Sequence, residues 1–209
     1  MVQEEKIHII GQGAYGCVYR PNIDCETKTI GKSEYLSKIQ KKTETTKNEI
    51  ALGKLIGEDN DEKRKKRFGY IIESCPITIG EIENNKIEKC KMLTKKDTNM
   101  NLLSNKMTYI GKKTLDDYLE SIVMKQGKNH VKNYISKMTN SHIYLLESID
   151  ILNNQYKITH LDIKSNNVVM DNQNMMPRAW SVVIDFGLSY RLEHLEVTKY
   201  IETAKKPFG

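Results

Sequence analysis

The chain has 209 residues, of which 38% are hydrophobic and 29% charged, and its formal net charge is +6. That length suffices for a sizeable core in one domain or in two small lobes. No apolar run approaches the roughly 20 residues of a membrane span, and the opening Met1-Val2-Gln3-Glu4-Glu5-Lys6 lacks the apolar stretch of a signal peptide.

These features point to a soluble cytoplasmic protein with no membrane partner. Cys17, Cys25, Cys75 and Cys90 are then expected to be reduced thiols, and their spacing lacks the short pairs of a zinc site. The positive charge suits nucleic-acid binding and a nucleotide-binding enzyme with acidic partners equally well. Its densest run, Lys63-Arg64-Lys65-Lys66-Arg67, is flanked by Glu58, Asp59, Asp61 and Glu62. We read that run as a solvated loop between a helix and a strand, with no specific nucleic-acid partner.

Ile7 to Ile10 reads as a strand leading into Gly11-Gln12-Gly13-Ala14-Tyr15-Gly16. A dinucleotide-binding turn of this pattern opens a helix. Here Cys17-Val18-Tyr19 are strand formers, stopped at Arg20-Pro21, so the glycines sit in a hairpin. Such a hairpin lets backbone amides cover phosphates. A polar hairpin region, Asn22 to Ser33, precedes a strand at Tyr35-Leu36-Ser37-Lys38-Ile39.

Glu44 to Ile56 reads as a helix with a partly apolar face at Ile50, Leu52, Leu55 and Ile56. Tyr70 to Cys75 reads as a strand broken by Pro76, and Leu102 to Tyr109 as another. Thr114 is an N-cap candidate, with Asp116 and Asp117 in the first turn of the helix it opens. A longer helix runs from about Val131 to Gln155. Ile135, Met138, His142, Leu145, Leu146, Ile149 and Leu152 recur on it at helical spacing, and we read them as core, His142 as a buried histidine.

The most informative stretch is His160-Leu161-Asp162-Ile163-Lys164-Ser165-Asn166-Asn167, followed by Asp185-Phe186-Gly187. Val168-Val169-Met170 and Val182-Val183-Ile184 read as two strands joined by the polar turn Asp171-Asn172-Gln173-Asn174. A hairpin there brings Asn167 and Asp185 together. An amide oxygen and a carboxylate are hard ligands suited to magnesium. Asp162, on the same loop, is placed to accept a proton from an attacking hydroxyl, and Lys164 to neutralise a moving phosphoryl group.

The order His-x-Asp-x-Lys-x-x-Asn then Asp-Phe-Gly resembles the catalytic loop and metal-binding motif of the protein kinase family. Gly16-Cys17-Val18-Tyr19-Arg20-Pro21 with Cys25, then Tyr35 and Ser37-Lys38-Ile39, resembles the serine/threonine kinases of large nucleocytoplasmic DNA viruses. The resemblance implies an α+β, bilobal fold. Residues 1–107 would form an antiparallel-sheet lobe, and 108–209 a truncated, mainly helical one. It implies an ATP- and Mg2+-dependent protein serine/threonine kinase, in the cytoplasm of a host cell or in a virion, acting on a protein substrate.

The roles implied run along the chain. Gly11, Gln12, Gly13, Ala14, Tyr15 and Gly16 would cover the phosphates, and Val18 would pack on the adenine. Lys38 would grip the α- and β-phosphates. Glu49 would pair with Lys38, with Glu44 and Glu58 as alternatives. Thr108 (carbonyl) and Ile110 (amide) would meet the adenine. Asp162 and Lys164 would act on the transfer, Asn167 and Asp185 on the metal, and His160 would pack beneath the loop.

Two departures narrow the expectation. Leu161 stands where many kinases carry arginine, which removes the usual partner of a phosphorylated activation loop. Only 22 residues follow Gly187, with no Ala-Pro-Glu-like motif. A fragment, or dependence on another chain, is therefore expected. The alternative function is a nucleotide-binding kinase remnant or scaffold without turnover.

Overall fold

A computed structural model describes residues 6–13, 16–84, 90–91, 101–123, 128–171 and 180–192. It is a mixed α+β structure built on a five-stranded antiparallel sheet. The strands are β1 (His8–Gly13), β2 (Gly16–Arg20), β3 (Tyr35–Lys41), β5 (Ile71–Ile77) and β6 (Leu102–Thr108), in the order β1-β2-β3-β6-β5.

Strand alternation divides this sheet into two faces. Cys17 lies opposite Ile39, and Tyr19 opposite Ser37; these residues are buried, and Cys17, Tyr19 and Ile39 share one hydrophobic core with Ile23, Ile77 and Leu102. Val18 lies opposite Lys38 on the other face, and Lys38 opposite Asn105. Ser37 is satisfied within the core, its hydroxyl accepting from the Ile23 amide (2.8 Å) and meeting Ser104 (3.1 Å). β5 continues through Pro76, contrary to the expected break. It is an edge strand, and an edge tolerates a residue without a ladder N–H.

Helix α1 (Glu44–Gly57) begins at the N-cap Thr43, whose hydroxyl accepts from the Thr46 amide. It lies close on β5 because residue 53 is glycine: a Cβ there would sit 2.8 Å from the Ile71 carbonyl oxygen. Short helices follow at α2 (Glu62–Lys65) and α3 (Ile79–Asn84). The sequence reading missed α3, although Thr78 and Glu81 cap its start reciprocally through side-chain bonds of 2.7 and 3.2 Å.

The second half holds α4 (Leu115–Val123), α5 (Lys128–Asn154), β7 (Ile158–Thr159), β8 (Val168–Asp171), β9 (Trp180–Ile184) and β10 (Tyr190–Arg191). β8 and β9 form the expected hairpin, and β4 (Phe68–Gly69) adds to β9 in parallel. The second core gathers Leu145 and Leu152 of α5 with Val168, Met170, Val183 and Phe186. Leu52 and Ile56 of α1 and Phe68 of β4 also join it, so segments before residue 107 are built into both cores.

The buried stripe of α5 differs from the expected one. Leu145 and Leu152 are buried, but so are Ser141 and Ser148, whereas Ile135, His142 and Leu146 are exposed. The Ser141 and Ser181 hydroxyls contact each other, and Ser148 donates to the Tyr144 carbonyl (2.7 Å). Small, internally bonded serines let the helix approach β9 closely, which turns the larger Leu146 outward.

The cysteines also correct the expectation of reduced thiols: Cys17 pairs with Cys90 and Cys25 with Cys75 as disulfides. The partners are 73 and 50 residues apart, so no local spacing signals them. The basic run is tied down structurally. Arg64 bonds both oxygens of Asp59 (2.8 and 2.9 Å), and Arg67 bonds Glu147 (3.0 Å) and lies over the Tyr144 ring. No helix among the described residues is long and apolar enough to cross a membrane.

Candidate active site

The site lies between the inner sheet face and the loops flanking the β8–β9 hairpin. Lys38 projects from β3 and is the centre of a buried ionic group. Its Nζ donates to Glu49 Oε1 (2.7 Å) and Oε2 (3.0 Å), and to Asp185 Oδ1 (2.9 Å). Of the three glutamates considered for this pairing, the helix brings Glu49 to Lys38. Burial works to lower the Lys38 pKa, but the carboxylates of Glu49 and Asp185 outweigh it, and the ammonium's pKa lies above its ordinary value.

Asp162 and Asn167 form the facing group. Asn167 Nδ2 donates to the Asp162 carbonyl (2.9 Å) and to Oδ2 (2.8 Å), and Lys164 Nζ donates to the same Oδ2 (2.8 Å). The Lys164 bond first, and the Asn167 bond after it, hold the Asp162 carboxyl below its usual range. Asp162 is therefore ionised at neutral pH and able to accept a proton. The loop is anchored from α4 by the Ser165 hydroxyl, which donates to Asp116 Oδ1 (2.9 Å). Asp185 and Leu161 adopt left-handed backbone angles, φ 65° and 61°. Non-glycine residues held there mark sites whose surroundings over-determine the backbone.

His160 lies beneath the loop and is buried. Its Nε2–H donates to the Ile184 carbonyl (3.0 Å), Nδ1 accepts from the Asp162 amide (3.4 Å), and the ring packs on Phe186 at 5.1 Å. Burial, above all, pushes its pKa below 6.5, so the ring is neutral in the fold. The unfolded chain takes up this proton first as pH falls. The stability that neutral His160 contributes is thus complete above its unfolded pKa and lost as pH falls toward the folded one. We expect the urea midpoint to drop as pH falls through and below the ordinary histidine value of 6.5, and His160→Gln to flatten that drop. An equally steep drop in the variant would show another group to be its source.

A cleft, open at its mouth, adjoins these groups. Val18, Leu36, Met107 and Val169 give it apolar walls, and Thr108 and Ile110 line it as well. The Tyr109 amide is engaged with the Glu34 carbonyl (2.9 Å). Lys38, Asn167 and Asp185 stand at its polar end. Its lining thus combines apolar walls with one ionic and polar end.

Gly11, Gln12, Gly13 and Gly16 flank the hairpin turn of β1 and β2; Ala14 and Tyr15 lie outside the described residues. Gly16 is required sterically, since a Cβ would run into the Ile39 carbonyl oxygen. Gln12 Oε1 accepts from the Lys91 amide (3.2 Å), beside the Cys17–Cys90 bridge.

The donor set suits magnesium. Both side-chain bonds that Asn167 makes among the described residues use its Nδ2, and none of them engages its Oδ1. Asp185 keeps 38% of its side chain exposed. Among the described residues no group of three or more His, Cys, Asp or Glu could hold a metal by itself. An ion here would complete its shell with phosphate oxygens and water, as magnesium commonly does.

Sequence reasoning missed Gln40, Asp116 and Val169 at this site, because nothing local distinguishes a strand glutamine or a first-turn aspartate. Comparison with protein-family models and with curated proteins finds no match for the chain.

Proposed function

We propose that the chain is an ATP- and magnesium-dependent protein serine/threonine kinase of bilobal, kinase-like fold, related to the kinases of large nucleocytoplasmic DNA viruses. The observation that carries this reading is the convergence of Lys38, Glu49 and Asp185 opposite the bonded set Asp162, Lys164 and Asn167. These residues come from four separate stretches of the chain, and a solvated surface loop gives no reason for their meeting.

The adenine lies in the apolar cleft against Val18, with the Thr108 carbonyl and the Ile110 amide as its polar partners. Gly11 to Gly16 cover the phosphates, and Lys38, held by Glu49, orients the α- and β-phosphates. Asp162 accepts the proton of the attacking serine or threonine hydroxyl, and Lys164 offsets charge on the transferred group. Asn167 and Asp185 would hold magnesium, which when bound neutralises phosphate charge.

Calorimetry of ATP with and without magnesium tests this. Asp185→Ala is expected to abolish the magnesium-dependent part of ATP binding, and Asn167→Ala to weaken it. Unchanged magnesium dependence in Asp185→Ala would overturn the assignment.

A second reading, a nucleotide-binding scaffold without turnover, is favoured by one observation. Ile135, Ile143 and Leu146 of α5 are 57%, 50% and 65% exposed. Clustered exposed apolar side chains mark association surfaces. Magnesium-dependent ATP binding without transfer to any protein would select this reading.

A further inference from the structure

We infer that Gln40 is a positioning residue, which fixes Glu49 in the orientation that grips Lys38; as a statement about nucleotide binding it rests on the reading above. Gln40 lies on β3, two residues beyond Lys38, and is only 3% exposed. A buried amide at that depth is costly unless it is bonded. Its Nε2 donates to Glu49 Oε2 (3.1 Å) and to Thr46 Oγ1 (3.1 Å).

Hydrogen accounting makes the arrangement directional. Glu49 accepts only, so the nitrogen of Gln40 must face it, and both amide hydrogens are used. The Thr46 hydroxyl donates its one hydrogen to the Lys41 carbonyl (2.7 Å). Thr46 Oγ1 therefore accepts from Gln40, and Thr43 is the donor in the 3.0 Å hydroxyl pair. The Gln40 amide thus ties strand β3 to two residues in the first turns of α1, beside the Lys38–Glu49 pair and the Thr46–Lys41 bond.

Glu49 Oε2 then receives Lys38 from one side and Gln40 from the other. Without Gln40, that oxygen keeps a single donor, and α1 loses two of its polar bonds to β3. Gln40 Oε1 has no partner among the described residues, so the amide is retained through its donor side alone.

The test is a double-mutant cycle on the full chain. Gln40→Met keeps the volume and removes both donors. It is expected to weaken magnesium–ATP affinity roughly tenfold, the scale of a lost hydrogen bond to a charged group. In a Glu49→Ala background the same change is expected to do nothing further, because Gln40 acts through Glu49. Equal losses in both backgrounds, or no loss in the parent, would overturn the inference.

A second measurement needs no nucleotide. Acylation of Lys38 by an N-hydroxysuccinimide ester, followed by mass spectrometry, is expected to quicken several-fold in Gln40→Met as the ion pair loosens. Unchanged labelling would overturn the positioning role whatever the ligand. A parent chain that binds no magnesium–ATP, yet shows the labelling difference, would sink the nucleotide reading and leave the positioning role standing.

Discussion

Asp162→Asn is expected to cut phosphotransfer by roughly 100- to 10,000-fold, the usual range for removing a general base, while ATP affinity stays within a few-fold. The carboxylate stands on the loop beside Asn167 and Lys164, and neither Lys38 nor Glu49 bonds it. An asparagine keeps its shape and still offers an oxygen to the Asn167 amide. What it loses is the negative charge that accepts a proton. Because Lys164 and Asn167 hold the Asp162 pKa below its ordinary 3.8, the base is ionised across the neutral range. Asp162 therefore adds no acidic limb to the rate profile near neutral pH. Transfer of label from γ-labelled ATP to a protein substrate, beside calorimetry with ATP, measures both quantities. Normal turnover in the variant would remove Asp162 from the mechanism.

Reduction is expected to destabilise the fold more than any single core substitution. Cys17–Cys90 and Cys25–Cys75 close stretches of 73 and 50 residues. In the loop-entropy account each such link is worth about 4 kcal/mol at 25 °C. Whole domains are stable by only about 5–15 kcal/mol, so losing both leaves little reserve. The Cys17–Cys90 link also fastens the segment carrying Lys91 to the glycine-rich hairpin, through the neighbour of Val18. Cys17→Ser and Cys25→Ser should each lower the urea midpoint, and a reductant should reproduce the pair. Alkylation of the native chain followed by intact-mass measurement gives the direct check. Four alkylated thiols without prior reduction would show that these bonds do not form.

Local chemistry was strong wherever neighbours in sequence are also neighbours in space. The β8–β9 hairpin that carries Asn167 and Asp185 to one end follows from two apolar runs around a polar turn. The same holds for the glycine hairpin, whose strand formers Cys17 to Tyr19 exclude a helix, and for the Thr114 cap, where Asp117 Oδ2 accepts the Thr114 amide at 2.8 Å. Pro76 misled because a proline bars a central strand and not an edge, and edge position is a property of the sheet.

By itself the sequence determined the order of the longer strands and helices, and it singled out Lys38, Asp162, Asn167 and Asp185, which the fold brings to one site. Periodicity and turn chemistry act over a few residues, and those decisions are local. Tertiary structure alone decided three things: that Glu49 and not Glu44 or Glu58 meets Lys38, that Gln40 holds Glu49, and which cysteines pair. Each depends on how α1 and the residues around β5 and Cys90 lie against β2 and β3. That placement is set by burial across stretches of chain far apart, down to a glycine at 53 that lets α1 touch β5. The outward turn of Leu146 has the same origin, since Ser141 draws its own face of α5 onto Ser181 of β9 and Ser148 is buried on that helix as well. No helical period distinguishes that face from the one solvent receives.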